Sequence, residues 1–294
     1  MISLIVTTRN RVEELHRLLA TLEAQTYRSL EVIVVDQNQD DRLAGVLVQH
    51  PTLNIRHLRS GAGASRGRNA GLRAVEGDLV AFPDDDCWYP SELLAKVVAW
   101  FEQHPDCDGL LTGCRSPKGR LMAPKFPPRE GACSKRNILH CAIAWNIFLR
   151  RRVTSSVGFF NEDLGPGASS PYQSGEDLDY PLRVLQHGFR LWYAPNLTVH
   201  HPELNTGERL ARTAYPYALS VGRVWRMHGY SWGYCLGQIA LRSFGGAVLH
   251  LCRGDWAKSS LYITRAAGEF QGYIHRPGRL MDSCKPRPTE SGSS

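Results

Sequence analysis

Short apolar runs alternate with amphipathic segments through the first part of the chain. The runs that are rich in β-branched and other apolar residues predict strands at residues 2–7, 31–35, 54–58, 77–83 and 108–112. The segments between them predict helices at residues 11–24, 66–75 and 91–103. Strands that alternate with helices indicate an α/β fold. We therefore expect a Rossmann-like, mostly parallel sheet with helices on both faces.

The middle of the chain is less regular. Residues 114–133 are rich in Pro, Gly and basic side chains and predict a loop. Residues 174–186 predict a helix, which Gly188 ends as a C-cap. Short strands are predicted on either side of this helix, at residues 142–149, 190–193 and 197–199.

The pattern changes again after Pro202. Residues 210–274 predict helices that mix aromatic side chains with Arg, Lys and His. Some of these side chains share one face of a helix: Tyr217, Val221, Val224, Trp225 and His228. Such a face fits either an ordinary packed helix pair or a basic, aromatic surface that lies on a membrane. Residues 276–294, with their Pro, Ser and Gly, predict a disordered tail.

Three consecutive carboxylates, Asp84 to Asp86, follow directly after an apolar strand. In an extended backbone Asp84 and Asp86 point the same way, and two aligned carboxylates suit Mg²⁺ or Mn²⁺. A solvated acidic turn before the next helix would have the same composition. Asp36 also ends a predicted strand. Because ligands bind beyond the carboxyl ends of such strands, two acidic strand ends favour a binding site.

Composition and charge limit the kinds of partner and metal site that the protein is expected to have. The 294 residues are 43% hydrophobic and 21% charged, which is typical of a soluble globular protein. The net charge of +7 favours an anionic partner, but no Lys/Arg block resembles a nucleic-acid-binding arm. Eight scattered cysteines without a Cys-x-x-Cys pair argue against structural zinc. The first residues read as a core strand, and no apolar run reaches about 18 residues, so we expect a cytoplasmic protein.

Several short motifs, taken in order, resemble the family 2 glycosyltransferases, nucleotide-sugar enzymes with the GT-A fold. The motifs are Val6-Thr7-Thr8-Arg9-Asn10-Arg11, Gln25-Thr26, Val34-Val35-Asp36, Gly67-Arg68-Asn69-Ala70-Gly71, Asp84-Asp85-Asp86 with Pro90, Gly175-Glu176-Asp177 and Val199-His200-His201. The resemblance covers residues 2–201. The sequence departs from the family pattern after Asp36, where Gln37-Asn38-Gln39 replaces the usual turn of small residues.

The resemblance implies a division of the chain and a donor site. Residues 1–205 would form the catalytic domain, with a nucleotide-binding half at 1–113 and an acceptor half at 114–205, followed by a helical region at 206–275. Asp36 would contact the base, Asp84 the ribose, and Asp86 a divalent cation, Mn²⁺ or Mg²⁺. The remaining residues assigned to the nucleotide are Thr7, Arg9, Arg68, Asn69 and Asp85. Alternatively, Arg68 and Asn69 could be ordinary residues of the first turn of a helix, with no contact to the nucleotide.

The resemblance also implies the reacting end of the site. Asp177, supported by Glu176, would take the proton of the acceptor hydroxyl in a single inverting displacement. Ser174-x-x-Asp177 is also a capping-box pattern, so a purely structural role fits the same residues. His200, in preference to His201, would be a further metal ligand. Residues bordering the sugar or the acceptor would be Trp145, Asn146, Gly165, Gly167 and His201.

The expected function is transfer of a sugar from a nucleotide-diphosphate sugar to a glycan or lipid-linked acceptor, in surface polysaccharide synthesis. We expect a cytoplasmic enzyme with a peripheral contact at the inner face of the membrane, and no nucleic-acid partner. A sugar nucleotidyltransferase is one alternative, but the turn after the first strand lacks the Gly-rich phosphate loop of that class. A non-catalytic protein that binds a nucleotide or a membrane is another, and it predicts loss of Asp86 or Asp177, which are both present.

Overall fold

An eight-stranded mixed sheet runs through the part of the chain that the computed structural model describes, which is residues 1–117, 119, 127–202 and 208–275. The strands are β1 (Ile2–Thr8), β2 (Leu30–Asp36), β3 (Asn54–Arg59), β4 (Leu79–Ala81), β5 (Gly109–Arg115), β6 (Gly131–Ala132), β7 (Ile147–Arg150) and β8 (Leu191–His200). The helices are α1 (Val12–Glu23), α2 (Ala44–Leu47), α3 (Ala64–Leu72), α4 (Leu93–Gln103), α5 (Arg151–Val157), α6 (Glu176–Gln186), α7 (Glu208–Met227), α8 (Trp232–Gln238), α9 (Gly245–Cys252) and α10 (Trp256–Ile274).

The sheet has the order β3-β2-β1-β4-β7-β5-β8-β6. The pairs β1–β2, β1–β4, β2–β3 and β5–β8 are parallel, whereas β7 is antiparallel to both neighbours and β6 is antiparallel to β8. Every residue of β2 is buried, as expected for a strand covered on both faces. The predicted α/β fold with a mostly parallel sheet is therefore confirmed, and both expected halves of the catalytic domain contribute strands to the one sheet.

Three strands predicted in the middle of the chain differ from the structure in their extent. The strand predicted at residues 142–149 begins only at Ile147, because Ala144–Asn146 form a turn of 3₁₀ helix held by the Asn146 side chain. The short strands predicted at 190–193 and 197–199 are one strand, β8. Its pairing with β5 shifts register between Thr112 and Gly113, opposite Pro195.

The C-terminal region is helical, as predicted. Helices α7 and α10 pack so closely that a Cβ on Gly222 or Gly272 would overlap the backbone of the facing helix. A π-helical stretch, Ile239–Phe244, joins α8 to α9 into one segment. By length and composition this segment, Trp232–Cys252, could cross a membrane, although the sequence was expected to contain none that could. The tail predicted to be disordered, 276–294, lies outside the described residues.

Candidate active site

The acidic triplet lies where β4 ends beside β1. Asp84 forms a backbone bridge with Thr7, so the triplet occupies the carboxyl ends of two parallel strands. Arg11, which directly precedes α1, binds the other two carboxylates: its Nη1 donates to Asp85 Oδ1 and to Asp86 Oδ2, both at 2.7 Å. The sequence analysis assigned Arg11 no role beyond its motif, and its positive charge at an acidic strand end was the available signal.

Burial and ion pairing act in opposite directions on these carboxylates. Burial raises the pKa of Asp85 to about 6, although the Arg11 charge opposes it. Burial also favours a higher pKa for Asp86, but His201 and Arg11 outweigh it and hold the Asp86 pKa below its usual value. Asp86 is therefore the firmly anionic member of this pair at neutral pH.

His201 and Asp86 form a pair of ligands suited to a divalent cation. Nδ1 of His201 lies 2.7 Å from the Pro202 carbonyl oxygen, which leaves Nε2 directed at Asp86 Oδ1, 3.2 Å away. This Oδ1 is buried and has no hydrogen-bond partner among the described residues. A buried carboxylate oxygen without a donor, beside an imidazole nitrogen, is a combination that Mn²⁺ or Mg²⁺ satisfies. The residues present therefore fit the expected cation.

The neighbouring side chains define which groups belong to this pair. The Cys87 thiol lies within 4.8 Å of it, but burial raises the thiol pKa well above its usual value, so the sulfur stays protonated. His200 was the predicted ligand, and its position does not support that role. Its ring stacks on Trp88, with the ring centres 5.6 Å apart, and its backbone pairs with the same residue. His201, one residue beyond β8, takes the predicted place.

The first residues of α6 carry the second group of carboxylates. Gly175, with φ of 92°, is the N-cap of α6, and no side chain caps this end. Ser174 donates instead to the Tyr217 carbonyl oxygen at 3.3 Å, so the capping-box alternative is wrong. Burial, and then the charge of Asp177, raise the pKa of Glu176 to about 7 against the effect of Arg68. Asp177 is partly exposed and forms no hydrogen bond or ion pair within the described ranges.

Arg68 connects the two acidic groups. Its guanidinium lies 3.1 Å from Asp84 Oδ1 and 3.0 Å from Glu176 Oε1, and the residue is 5% exposed. Asp84 lies just beyond β4, whereas Glu176 is the first residue of α6. The buried Arg68 guanidinium therefore joins the carboxylates that follow β4 to those that begin α6, where the candidate base Asp177 lies.

Comparison with known proteins agrees with this geometry. Residues 3–158 match the model of Glycosyl transferase family 2. The chain belongs to this family. An uncharacterised glycosyltransferase of Haemophilus influenzae is 36% identical over 194 residues, which cover 63% of this chain and 62% of that protein. Glycosyltransferase AglE of Haloferax volcanii is 27% identical over 276 residues, covering 90% and 84%.

Solved structures share the GT-A fold of this family 2 member. Mannosyltransferase PcManGT from Pyrobaculum calidifontis, in complex with GDP-Man and Mn²⁺, has a TM-score of 0.62 at 16% identity and covers 92% of this chain and 86% of its own. Residues 1–349 of S. aureus TarS, in complex with UDP-GlcNAc, have a TM-score of 0.59 at 18% identity, with 92% and 90% covered. At these identities the similarity establishes the fold.

Three residues predicted to contact ligands in this family 2 protein have side chains that bond to other residues of the chain: Asp36, Asn69 and Asn146. Asp36 is fully buried, with Asn38, His57 and Arg59 around its carboxylate. Its predicted direct contact with the base is therefore not supported, and it anchors the loop that follows β2.

The side-chain amides of Asn69 and Asn146 are bound in the same way. Asn69 bonds to the Phe160 backbone and to Glu162, so it fastens α3 to the segment after α5. Asn146 donates to the carbonyl oxygens of Thr112 and Cys141. Both are buried, which leaves no free polar atom for a nucleotide or an acceptor. These bonds do not support the predicted ligand contacts, and the sequence could not indicate them because most of the partners are backbone atoms.

The other predicted residues line or support the site. Thr7 is partly exposed at the end of β1, where α3 approaches through Gly67, and Arg9 is exposed just beyond it. Trp145 is 1% exposed and stacks on His201 with the ring centres 5.0 Å apart, so it supports the histidine ring from behind the surface.

Both predicted loop glycines have positive φ. Gly165, with φ of 106°, lies against Glu176, where a Cβ would be 3.0 Å from the carboxyl carbon. Gly167, with φ of 79°, packs on Gly63 at the start of α3. Side chains at these positions would displace the loop from the carboxylates. The glycines thus shape the wall of the site.

Proposed function

We propose that the protein is a metal-dependent, inverting glycosyltransferase that moves a sugar from a nucleotide-diphosphate sugar to a hydroxyl of a glycan or lipid-linked acceptor. Membership of family 2 supports the reaction class, and neighbours that bind GDP-Man or UDP-GlcNAc support the donor class. We place the enzyme in the cytoplasm at the inner face of the membrane, in surface polysaccharide synthesis.

The observation that carries the proposal is the contrast between two adjacent carboxylates. Arg68 forms an ion pair with Glu176, whereas the Asp177 side chain beside it is partly exposed and forms no bond with the described residues. The acceptor oxygen would form its bond to the anomeric carbon as the bond from that carbon to the diphosphate breaks. The hydroxyl proton would pass to Asp177, and one displacement inverts the anomeric configuration. Arg68 and Glu176 hold the turn that carries this base.

Asp86 and His201 would hold the cation. When bound there, it supplies positive charge that stabilises the departing diphosphate. Thr7, Asp84 and the start of α3 would bind the nucleotide, which the backbone bridge between Thr7 and Asp84 at these strand ends supports. Gly165 and Gly167 would keep the opposite wall close to the carboxylates.

Asp177→Asn tests the assignment of the base. We expect transfer to fall by at least about 10³-fold because the amide cannot take the proton, while donor affinity changes little. Asp163→Asn, an exposed aspartate on the neighbouring loop, is the matched control. Transfer and donor binding would be measured separately, with a panel of nucleotide sugars in the presence and absence of Mn²⁺.

The product of the wild-type reaction tests the rest of the proposal. NMR of the product should report an anomeric configuration opposite to that of the donor. Retention of configuration would refute the single displacement. Release of pyrophosphate from a sugar phosphate and a nucleoside triphosphate would identify a nucleotidyltransferase instead. Normal turnover by Asp177→Asn would remove this residue from the mechanism.

A further inference from the structure

Exposed apolar side chains are concentrated in the C-terminal helices. Among the described residues, twelve of the fifteen large apolar side chains that are exposed lie between Met227 and Ile274. Scattered exposed apolar residues are normal on a protein surface, but a contiguous group indicates an interaction site. The catalytic domain contributes only two of the fifteen, Val48 and Phe159, both far from these helices in sequence.

These side chains form two stripes that follow helical periodicity. On the segment 232–252, the first stripe is spaced i, i+3, i+7, i+10: Leu241, Phe244, Val248 and Leu251. On α10, the second stripe lies close to one line along the helix: Trp256, Ile263, Phe270 and Ile274. Trp232, at the start of the segment, lies beside the second stripe, with its ring centre 6.3 Å from that of Phe270. We call the two stripes together with Trp232 the apolar face.

The helical region that carries the apolar face is basic. Residues 208–275 contain eight Lys and Arg and only three Asp and Glu. Of these acids, Glu269 is buried against Arg265 and Ser243, and Asp255 is paired with Lys258. Arg253, between the two stripes in sequence, and Lys258, near the start of the second stripe, are both exposed. An apolar, tryptophan-bearing surface beside exposed basic side chains complements an anionic lipid surface.

The segment 232–252 is held to the protein on its other side. Cys235, Ile239 and Ser243, at intervals of four residues, are buried. Ser243 Oγ donates to the buried Glu269 at 2.9 Å, and Arg242 reaches His140 of the catalytic domain at 2.9 Å. If the segment crossed the membrane, Arg242 and Glu269 would lose these partners. Unpaired charged side chains are energetically costly in the hydrocarbon core of a bilayer. The contacts favour a segment that lies on a bilayer over one that crosses it.

We propose that the apolar face docks on a bilayer containing anionic phospholipids, with the segment 232–252 lying in the interface. This deepens the proposed peripheral contact by identifying the surface and its orientation. It rests on the proposed function only in that a membrane would also present a lipid-linked acceptor, because the lipid contact itself needs no sugar transfer.

Vesicle flotation of the full chain tests this assignment. The probes are vesicles of phosphatidylcholine alone and of phosphatidylcholine mixed with phosphatidylglycerol. We expect the protein to float with the anionic vesicles, to bind them less at high salt, and to be released by alkaline carbonate. The double variant Leu241→Glu, Val248→Glu should bind at least about tenfold more weakly, because charge on this stripe opposes burial in lipid. Val48→Glu, at a position 76% exposed on the catalytic domain, should bind as the wild type does.

Three results would overturn the proposal. The first is wild-type protein that binds neither kind of vesicle. The second is a double variant that floats like the wild type. The third is a concentration-dependent dimer that the double variant abolishes, without vesicle binding, which would assign the apolar face to a second copy. Thermal melting would establish that the double variant is folded. Sugar transfer to a soluble acceptor should be unaffected by the double variant, so loss of transfer and loss of docking remain distinguishable.

Discussion

Replacing Arg68 by Met removes the only cation that the structure places on Glu176, within the described residues. The Glu176 carboxylate is 7% exposed and 3.0 Å from the guanidinium, and Asp84, one third exposed, loses the same partner. Breaking a buried ion pair by removing one member costs about 3–5 kcal/mol, because the remaining charge is left uncompensated. Most of that cost belongs to Glu176, since water screens Asp84. The corresponding fall in melting temperature is roughly 10 °C.

The loss of stability should depend on pH. Burial already raises the Glu176 pKa to about 7, and loss of the opposing cation should raise it further. An acid whose pKa is higher in the folded state stabilises the fold below its unfolded pKa, and this stabilisation is lost as pH rises through the folded pKa. Urea unfolding should therefore show a small difference between variant and wild type near about pH 5, and a larger one near about pH 8.

Arg66→Met is the matched control on the same helix. The Arg66 side chain is 54% exposed, and its partner Glu162, at 3.3 Å, is 41% exposed. A surface pair of this kind contributes about 0–1 kcal/mol, with little pH dependence in this range. If Arg68→Met lost equal stability at both pH values, or no more than Arg66→Met loses, the central role of the buried ion pair would be refuted.

Other perturbations test the supports of the site by chemical denaturation. Gly272→Ala should destabilise the fold by about 1–3 kcal/mol, because its methyl group would overlap the Leu219 carbonyl; an unchanged midpoint would contradict this packing. His228→Ala should cost about 2 kcal/mol by leaving buried Asp179 short of a donor, and His228→Gln should recover most of it. Asn69→Ala should cost about 1–3 kcal/mol, and resistance to this change would remove its fastening role.

The sequence predicted the fold well because buried parallel strands appear as continuous apolar runs. The Asp triplet, Arg68 and the Glu176–Asp177 pair could be proposed from the sequence because charged side chains at the ends of predicted strands and helices stand out locally. The choice between His200 and His201 was harder, because it depends on where β8 ends after a register shift. The bonds of Asn69 and Asn146 to distant backbone could not be predicted, since the sequence does not distinguish an amide that binds backbone from one that binds a ligand.

The apolar face was only partly visible in the sequence. Polar residues such as Arg242 interrupt the segment 232–252, so its hydropathy does not mark it clearly. Its apolar stripe is apparent only once Ile239 and Ser243 are seen to be buried on the opposite side. Composition indicated a basic and aromatic region, and the packing decided which side chains remain exposed.

The position of β7 has a consequence for how the chain assembles during synthesis. β7 pairs antiparallel with both β4 and β5, so the strand bearing the Asp triplet gains its second neighbour only when residues 147–150 have emerged. A nascent fragment ending near residue 113 would present the edges of β4 and β5 without that partner, and unpaired strand edges promote aggregation. Such non-local pairing slows folding. We therefore expect the first half of the catalytic domain to depend on the second half for a stable sheet.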